Sequence, residues 1–269
     1  MDVTKKTHDS REETDVRVQV LEAELKRRDE ELTRLYSSLI QGLETPLSIS
    51  REFLVMVLQG LGGDLSEDTQ SYLGQVEKQC ARVMACLEGL QEWWRLRDPS
   101  HRLEVAERSA YELVQGCVSR LESHAQAAGV VLAREIQEGL PSICVHEETF
   151  GRSIHTLIEN AIRVAPAGTD VTIRMYSSDE HVVVEVEDRG VGIPESDRES
   201  VFLPFERPGG GIGLGLALAR ESLRKQGGEI EIQDARPVGL CVSVRVPLRS
   251  IDGCGTTGTR DTGRDRPAT

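Results

Sequence analysis

The sequence predicts an α+β protein in two parts: an N-terminal helical hairpin that becomes a four-helix bundle as a dimer, then a two-layer α/β sandwich. Three observations carry this expectation. Between Val18 and Trp94 apolar residues recur at heptad spacing and then in a stripe at spacings of three and four, both helical periods. From Tyr111 to Leu248, segments with helical period are interleaved with short runs of Val and Ile, the mixed order of an α/β sandwich. Two glycine-rich runs then fall where that order breaks, at Asp188 to Gly192 and at Gly209 to Gly215.

Residues 1–15 are polar and charged, and are expected to be disordered. From Val18 onward Val18, Leu25, Leu32 and Leu39 recur every seven residues, with Leu21 and Leu35 on the alternate seam and Arg28 interrupting it. This is a parallel coiled-coil signature over 16–38, and it also fits one amphipathic helix packing on its own domain. The helical pattern continues through Leu43, Leu47, Phe53 and Leu54 to Leu58, with Pro46 removing one backbone donor and favouring a kink. Gly60, Gly62 and Gly63 mark a turn. The cleanest stripe follows, Leu73, Val76, Cys80, Val83, Leu87, Leu90 and Trp94 at spacings of three and four. Two antiparallel helices over 39–97 bury little by themselves, so a second copy of the hairpin is the natural completion and the chain is expected to form a homodimer.

A polar stretch containing Asp98-Pro99-Ser100 marks a linker, set at 98–105. The second domain, 106–249, reads as helix Tyr111 to Ala127, strands Val130 to Ile136 and Ile143 to Val145, and helix Glu148 to Val164. Strands Val171 to Tyr176 and Val182 to Glu187, helix Leu216 to Lys225, and a hairpin of Glu229 to Gln233 with Leu240 to Leu248 complete it. Residues 250–269 are Gly, Thr, Asp and Arg with almost no apolar side chains, the composition of a disordered tail.

A formal net charge of −13 and a pI near 5.0 argue against holding nucleic acid or an anionic membrane, because phosphate contact needs clustered Lys and Arg. Proteins and a small ligand are the expected partners. No apolar run approaches bilayer length and the amino terminus lacks the apolar core of a signal peptide, so the expectation is a cytoplasmic protein without a membrane span. The six cysteines show no C-x-x-C or zinc spacing and are expected to be reduced thiols.

Asp188-Arg189-Gly190-Val191-Gly192-Ile193-Pro194 follows a strand. Gly190 and Gly192 let backbone approach a planar ligand, while the Asp188 carboxylate accepts from an exocyclic amine. Gly209 to Leu216 precedes a helix, where backbone amides at the helix start can cradle phosphates. No parallel βαβ unit surrounds this run and no Walker lysine follows it, which excludes Rossmann and P-loop readings. Taken alone, Asp188 to Gly192 also reads as a plain turn after a strand.

In order and with compatible gaps, Ile158-Glu159-Asn160-Ala161, Asp188 to Ile193, Val201-Phe202-Leu203-Pro204-Phe205 and Gly211 to Leu216 resemble the N, G1, F and G2 boxes of the GHKL ATPase superfamily. Upstream, Gln41-Gly42-Leu43-Glu44-Thr45-Pro46-Leu47 is similar to the H box of the sensor histidine kinases, commonly written H-E-L-R-T-P-L. The resemblance covers roughly residues 15 to 249 and favours that branch over the chaperone, topoisomerase and mismatch-repair branches. It implies a GHKL-type ATP-binding domain with ATP and Mg2+ as ligands. Asn160 is implied as the magnesium ligand, Asp188 as the adenine-reading carboxylate and Arg163 as the basic residue near the phosphates. Gly190 and Gly192 belong to G1, and Gly211, Gly213, Leu214 and Gly215 to the G2 segment along the triphosphate. Phe202 and Phe205 are implied as braces of a lid that is unusually short, with three residues, Glu206, Arg207 and Pro208, before the glycine run.

The chain departs from the pattern at the H box. Gln41 stands where the family has its phosphoacceptor histidine, Gly42 replaces the adjacent acid, and Glu44 the customary basic residue. An amide nitrogen has its lone pair drawn into the carbonyl and cannot attack a γ-phosphorus as imidazole does. The resemblance therefore implies an ATP-binding signalling protein that does not autophosphorylate at the usual place, a pseudokinase that regulates a response regulator receiver domain or another histidine kinase. Two alternatives stand beside it. One is an active kinase or ATPase working on a partner in trans, with Glu159 as base; the other is a response-regulator phosphatase using the retained Thr45.

Overall fold

The computed structural model describes residues 38–61, 63–98, 100–178, 180–206 and 213–248, together with Arg17, Val20, Glu24, Arg27, Arg28 and Tyr36. Most heptad positions of the expected coiled coil (Val18, Leu21, Leu25, Leu32, Leu35), the expected disordered ends and Gly211 lie outside the described residues. The chain divides into two compact units, Met1–Trp94 and Arg95–Thr269.

In the first unit, helix α1 runs over 38–58 and passes through Pro46 without a break. The Ser50 hydroxyl donates to the Pro46 carbonyl at 2.8 Å and the Thr45 hydroxyl to that of Gln41 at 3.3 Å, back-bonds typical of Ser and Thr inside a helix. Gly60 and Gly63 supply the positive φ values of the turn, +92° and +99°. Helix α2 (Glu67–Arg97) starts where the Ser66 hydroxyl accepts from the Thr69 amide, and it carries Glu67 and Asp68 in its first turn and Arg95 and Arg97 in its last. Acid at the start and base at the end both complement the helix dipole. Arg51 pairs with Glu77 at 2.9 Å, Gln91 donates to Glu44 at 3.1 Å, and Tyr36 stacks on Trp94 at 4.7 Å, which fixes the register of the hairpin. Leu43, Phe53 and Met56 on α1, with Tyr72, Val76 and Val83 on α2, remain exposed.

The second unit is a two-layer α/β fold. Its sheet has the order β2-β4-β5-β7-β6, from β2 (Val131–Ile136), β4 (Asp170–Ser177), β5 (His181–Glu187), β6 (Glu229–Asp234) and β7 (Leu240–Pro247). β2 runs parallel to β4 and every other pair is antiparallel. Strict alternation sorts the side chains: Val171, Ile173, Met175, Val182, Val184, Val186, Val242, Val244 and Val246 face the core. On the opposite face Arg174 bridges Glu135 of β2 and Glu187 of β5 at 2.6 and 2.5 Å, and Arg245 pairs with Glu231 at 3.0 Å.

Helices α3 (Ala110–Ala127), α4 (Glu147–Val164) and α5 (Gly215–Lys225) supply the other layer. α4 buries Phe150, Ile154, Leu157, Ile158, Ala161 and Ile162, a face repeating at three and four residues. His146 caps it, its ring nitrogen accepting from the Thr149 amide at 3.3 Å. The buried Gln226, at the end of α5, accepts from the His146 amide at 2.6 Å and donates to the Thr149 hydroxyl at 3.1 Å. The start of α4 is thereby locked to the end of α5. A small antiparallel ribbon pairs β1 (Ala106–Ser109) with β3 (Ser142–Val145). Neither β1 nor the two 3-10 turns, Glu195–Asp197 and Ser200–Phe202, was expected from the pattern, and Val130 lies just before β2 rather than in it.

Candidate functional site

Four pieces of the second unit converge on one cavity of about 450 Å3: the C-terminal half of α4, the end of β5, the start of α5 and β7. That volume lies within the range of small-molecule sites. Asn160 and Arg163 reach it from α4, Asp188 and Gly192 from the segment after β5, and Gly213 and Gly215 from the approach to α5. Val186, Ile193, Leu240 and Val242 form an apolar wall suited to a flat ring. Leu214 is buried directly before α5, which no side chain caps. Its first-turn amides are thus available to an anionic group, in the field of the helix start.

Asp188 is 3% exposed. Its Oδ1 accepts from the Gly190 amide at 2.7 Å and from the Leu240 amide at 3.3 Å. Burial raises its carboxyl above the ordinary carboxylate range, against the opposing pull of those two amides. With Oδ1 engaged by backbone, Oδ2 remains for a donor such as an exocyclic amine.

Its position is set by a residue that the sequence pattern did not flag. Gly239, in the β6–β7 turn, has φ +122°, and a Cβ there would fall 1.9 Å from the Asp188 carbonyl oxygen. Only glycine permits that approach, and it brings the Leu240 amide onto the carboxylate. Asp188 and Leu240 are further joined by a backbone bond of 2.9 Å, and Arg189 donates to the Arg236 carbonyl at 2.5 Å. Gly190 is also tightly packed, an added Cβ there falling 2.9 Å from Val164.

The phosphate side is fastened in a similar way. Gly213 (φ +73°) accepts at its carbonyl from the Phe205 amide at 3.0 Å, and Phe205 itself has a positive φ of +68°. Gly215 approaches Thr156 of α4 so closely that a Cβ would meet its methyl at 2.8 Å. Phe202 is buried beneath the Arg220 guanidinium at 4.9 Å, whereas Phe205 is exposed. Asp197 and Glu206 also line the cavity, unforeseen because both lie in segments without periodic pattern.

Of the other predicted positions, Glu159 is exposed on α4 and is not among the residues lining the cavity. Gln41 and Thr45 are exposed on α1, in the first unit. Asn160 offers an amide oxygen that already draws a cation: the Arg163 guanidinium donates to its Oδ1 at 2.5 Å. Among the described residues no group of three or more His, Cys, Asp or Glu side chains is placed to hold a metal ion by itself. The Asn160 amide oxygen is a hard donor of the kind Mg2+ accepts, an ion that usually takes few protein oxygens and completes its shell with phosphates and water.

Comparison with known proteins agrees with this geometry. Residues 146–250 match the family described as histidine kinase-, DNA gyrase B-, and HSP90-like ATPase. The histidine protein kinase DivJ of Caulobacter vibrioides is 26% identical over 221 residues, covering 80% of this chain and 37% of the relative. The alginate biosynthesis sensor protein KinB of Pseudomonas aeruginosa is 27% identical over 212 residues, covering 78% and 34%. This chain thus spans little more than a third of the length of either relative. Among solved structures, full-length ShkA in complex with AMPPNP superposes with a TM-score of 0.69 at 21% identity, over 80% of this chain and 45% of that one, a likeness of fold. No helix among the described residues is long and apolar enough to cross a membrane. Residues 146–250 match the histidine kinase-, DNA gyrase B- and HSP90-like ATPase family, and over about four fifths of its length the chain is similar to proteins named as histidine kinases.

Proposed function

We propose that this chain is a signalling pseudokinase: it binds ATP with Mg2+ in the second unit, does not phosphorylate itself at the hairpin, and acts by contact on a response regulator or a partner kinase. The observation that carries the reading is Gln41, an amide six residues before Leu47, in a chain whose nucleotide cavity keeps Asn160, Arg163, Asp188 and the glycines. An acceptor must be nucleophilic at neutral pH, and an amide nitrogen is not. Asp188 would read the base, Arg163 and the amides at the start of α5 would face the phosphates, and Asn160 would hold the ion. Magnesium would supply charge neutralisation between the phosphate oxygens.

The exposed Leu43, Phe53, Met56, Tyr72, Val76 and Val83 support a homodimer, since a stripe of that size on a two-helix unit is costly to leave in water. Partner classes, a cytoplasmic location, a coiled coil over 16–38 and the division into hairpin 39–97, linker 98–105 and ATP-binding domain 106–249 belong to the same proposal. The alternative with Glu159 as a hydrolytic base has less support, because that side chain is exposed outside the cavity lining. Thr45 as a phosphatase residue is the other alternative, and its hydroxyl is engaged with the Gln41 carbonyl.

Two measurements on the purified chain test the proposal together. Nucleotide with Mg2+ at ~100 times its dissociation constant should stabilise the fold by roughly 2.7 kcal/mol. Phosphorylated receiver domain mixed with the chain, with and without Thr45→Ala, should lose phosphate at its spontaneous rate. Acceleration that depends on Thr45 would replace the pseudokinase reading with the phosphatase one.

A further inference from the structure

Arg163 and Asn160 sit one helical turn apart on α4 and both line the cavity. Their side chains touch: the guanidinium donates to Asn160 Oδ1 at 2.5 Å, a charge-assisted hydrogen bond. The oxygen that would face a magnesium ion is therefore already facing a fixed positive charge of the protein. Burial lowers the Arg163 guanidinium from its ordinary value, and the Glu159 carboxylate on the same turn acts in the opposite sense, favouring the charged form. An amide oxygen has two lone pairs, so geometry alone permits a second partner. Electrostatics opposes it, because a dication and a guanidinium on one oxygen stand only a few ångströms apart and repel.

We infer that Arg163 is the resident cation of the Asn160 site and competes with Mg2+ for it, so that ion binding requires the guanidinium to leave Asn160. This inference rests on the nucleotide reading of the cavity. It makes two statements that a simple phosphate contact does not. First, nucleotide binding has a metal-independent component, because Arg163 offsets part of the negative phosphate charge that Mg2+ otherwise offsets. Second, Arg163 and Mg2+ oppose one another: what strengthens one weakens the other, by the reciprocity of linked equilibria. Arg163 is on this account a positioning residue for the ion as well as a counter-charge for the nucleotide.

The test uses the full chain and a fluorescent ATP analogue, titrated in EDTA and then with increasing Mg2+ at saturating nucleotide. Arg163→Ala should weaken nucleotide binding in EDTA and at the same time lower the Mg2+ concentration at half-effect, each by roughly three- to ten-fold for one exposed charge-assisted bond. Arg163→Lys, which keeps the charge, should restore most of the unmutated midpoint. Arg163 is exposed, so neither variant is expected to unfold the domain, and circular dichroism verifies that. An unchanged Mg2+ midpoint in Arg163→Ala, with nucleotide weakened equally in EDTA and in Mg2+, would overturn the competition while leaving the nucleotide site standing. Absence of analogue binding under every condition would overturn the nucleotide reading itself, and the inference with it.

Discussion

Replacing Gly239 by alanine isolates the contact that builds the base-reading end of the cavity. The added methyl would lie 1.9 Å from the Asp188 carbonyl oxygen and 3.0 Å from the Arg189 Cα, both backbone atoms that no rotamer change can move. Two costs add. Holding alanine at φ +122° costs about 1–3 kcal/mol, and displacing packed backbone by a fraction of an ångström or more costs about another 1–3 kcal/mol. The expected loss is about 2–6 kcal/mol, or roughly 5–20 °C in the Tm of a domain this size. Gly168→Ala is the control, with φ +86° and nothing within 4 Å of the added Cβ, and it should cost only about 1–2 kcal/mol. Thermal unfolding gives the stabilities, and titration with a fluorescent ATP analogue gives affinity. Nucleotide affinity should fall in Gly239→Ala and stay unchanged in Gly168→Ala. Equal destabilisation by the two substitutions, or a destabilised Gly239→Ala with unaltered affinity, would refute the claim that this turn positions Asp188.

Asp188→Asn separates stability from recognition. Because burial raises the native carboxyl above its unfolded value, the unfolded chain ionises first as pH rises, and the native state loses stability from about pH 4 up through the raised native value. Asparagine can still accept both amides at Oδ1, so at pH 7 its Tm should equal or exceed that of the unmutated chain, with the difference vanishing below about pH 4. Its nucleotide-induced Tm shift should disappear, and a lower Tm at pH 7 would contradict the burial argument. Phe150→Ala, at a fully buried side chain of α4, should cost about 3–5 kcal/mol, read from urea unfolding, because the ring leaves a cavity between helix layer and sheet.

The elements most legible in the sequence were those whose burial is one-sided. α4 buries one face at spacings of three and four, β4, β5 and β7 place their core Val, Ile and Met side chains at every second position, and their expected limits differ from the observed ones by one residue at most ends. β1 was not legible because Ala-Glu-Arg-Ser carries no β-branched or aromatic side chain and pairs with a single short partner. The candidate site was legible where glycine repeats or where a polar side chain interrupts an apolar run, as at Asn160 and Asp188. Gly239 escaped notice because one glycine before a strand has the appearance of an ordinary hairpin turn; its role lies in a contact with Asp188, 51 positions away, which no local pattern records. Arg163 was expected beside phosphate, and its bond to Asn160 depends on side-chain directions along one helical turn.

Radiolabelled ATP offers the most direct measurement. The purified chain, incubated with γ-labelled ATP and Mg2+ beside a Gln41→His, Gly42→Glu double variant, is assayed for acid-labile, base-stable phosphate on protein. The account predicts that the unmutated chain binds the nucleotide and acquires no such label, while the double variant gains it at the restored imidazole. Phosphohistidine on the unmutated chain alone would contradict it.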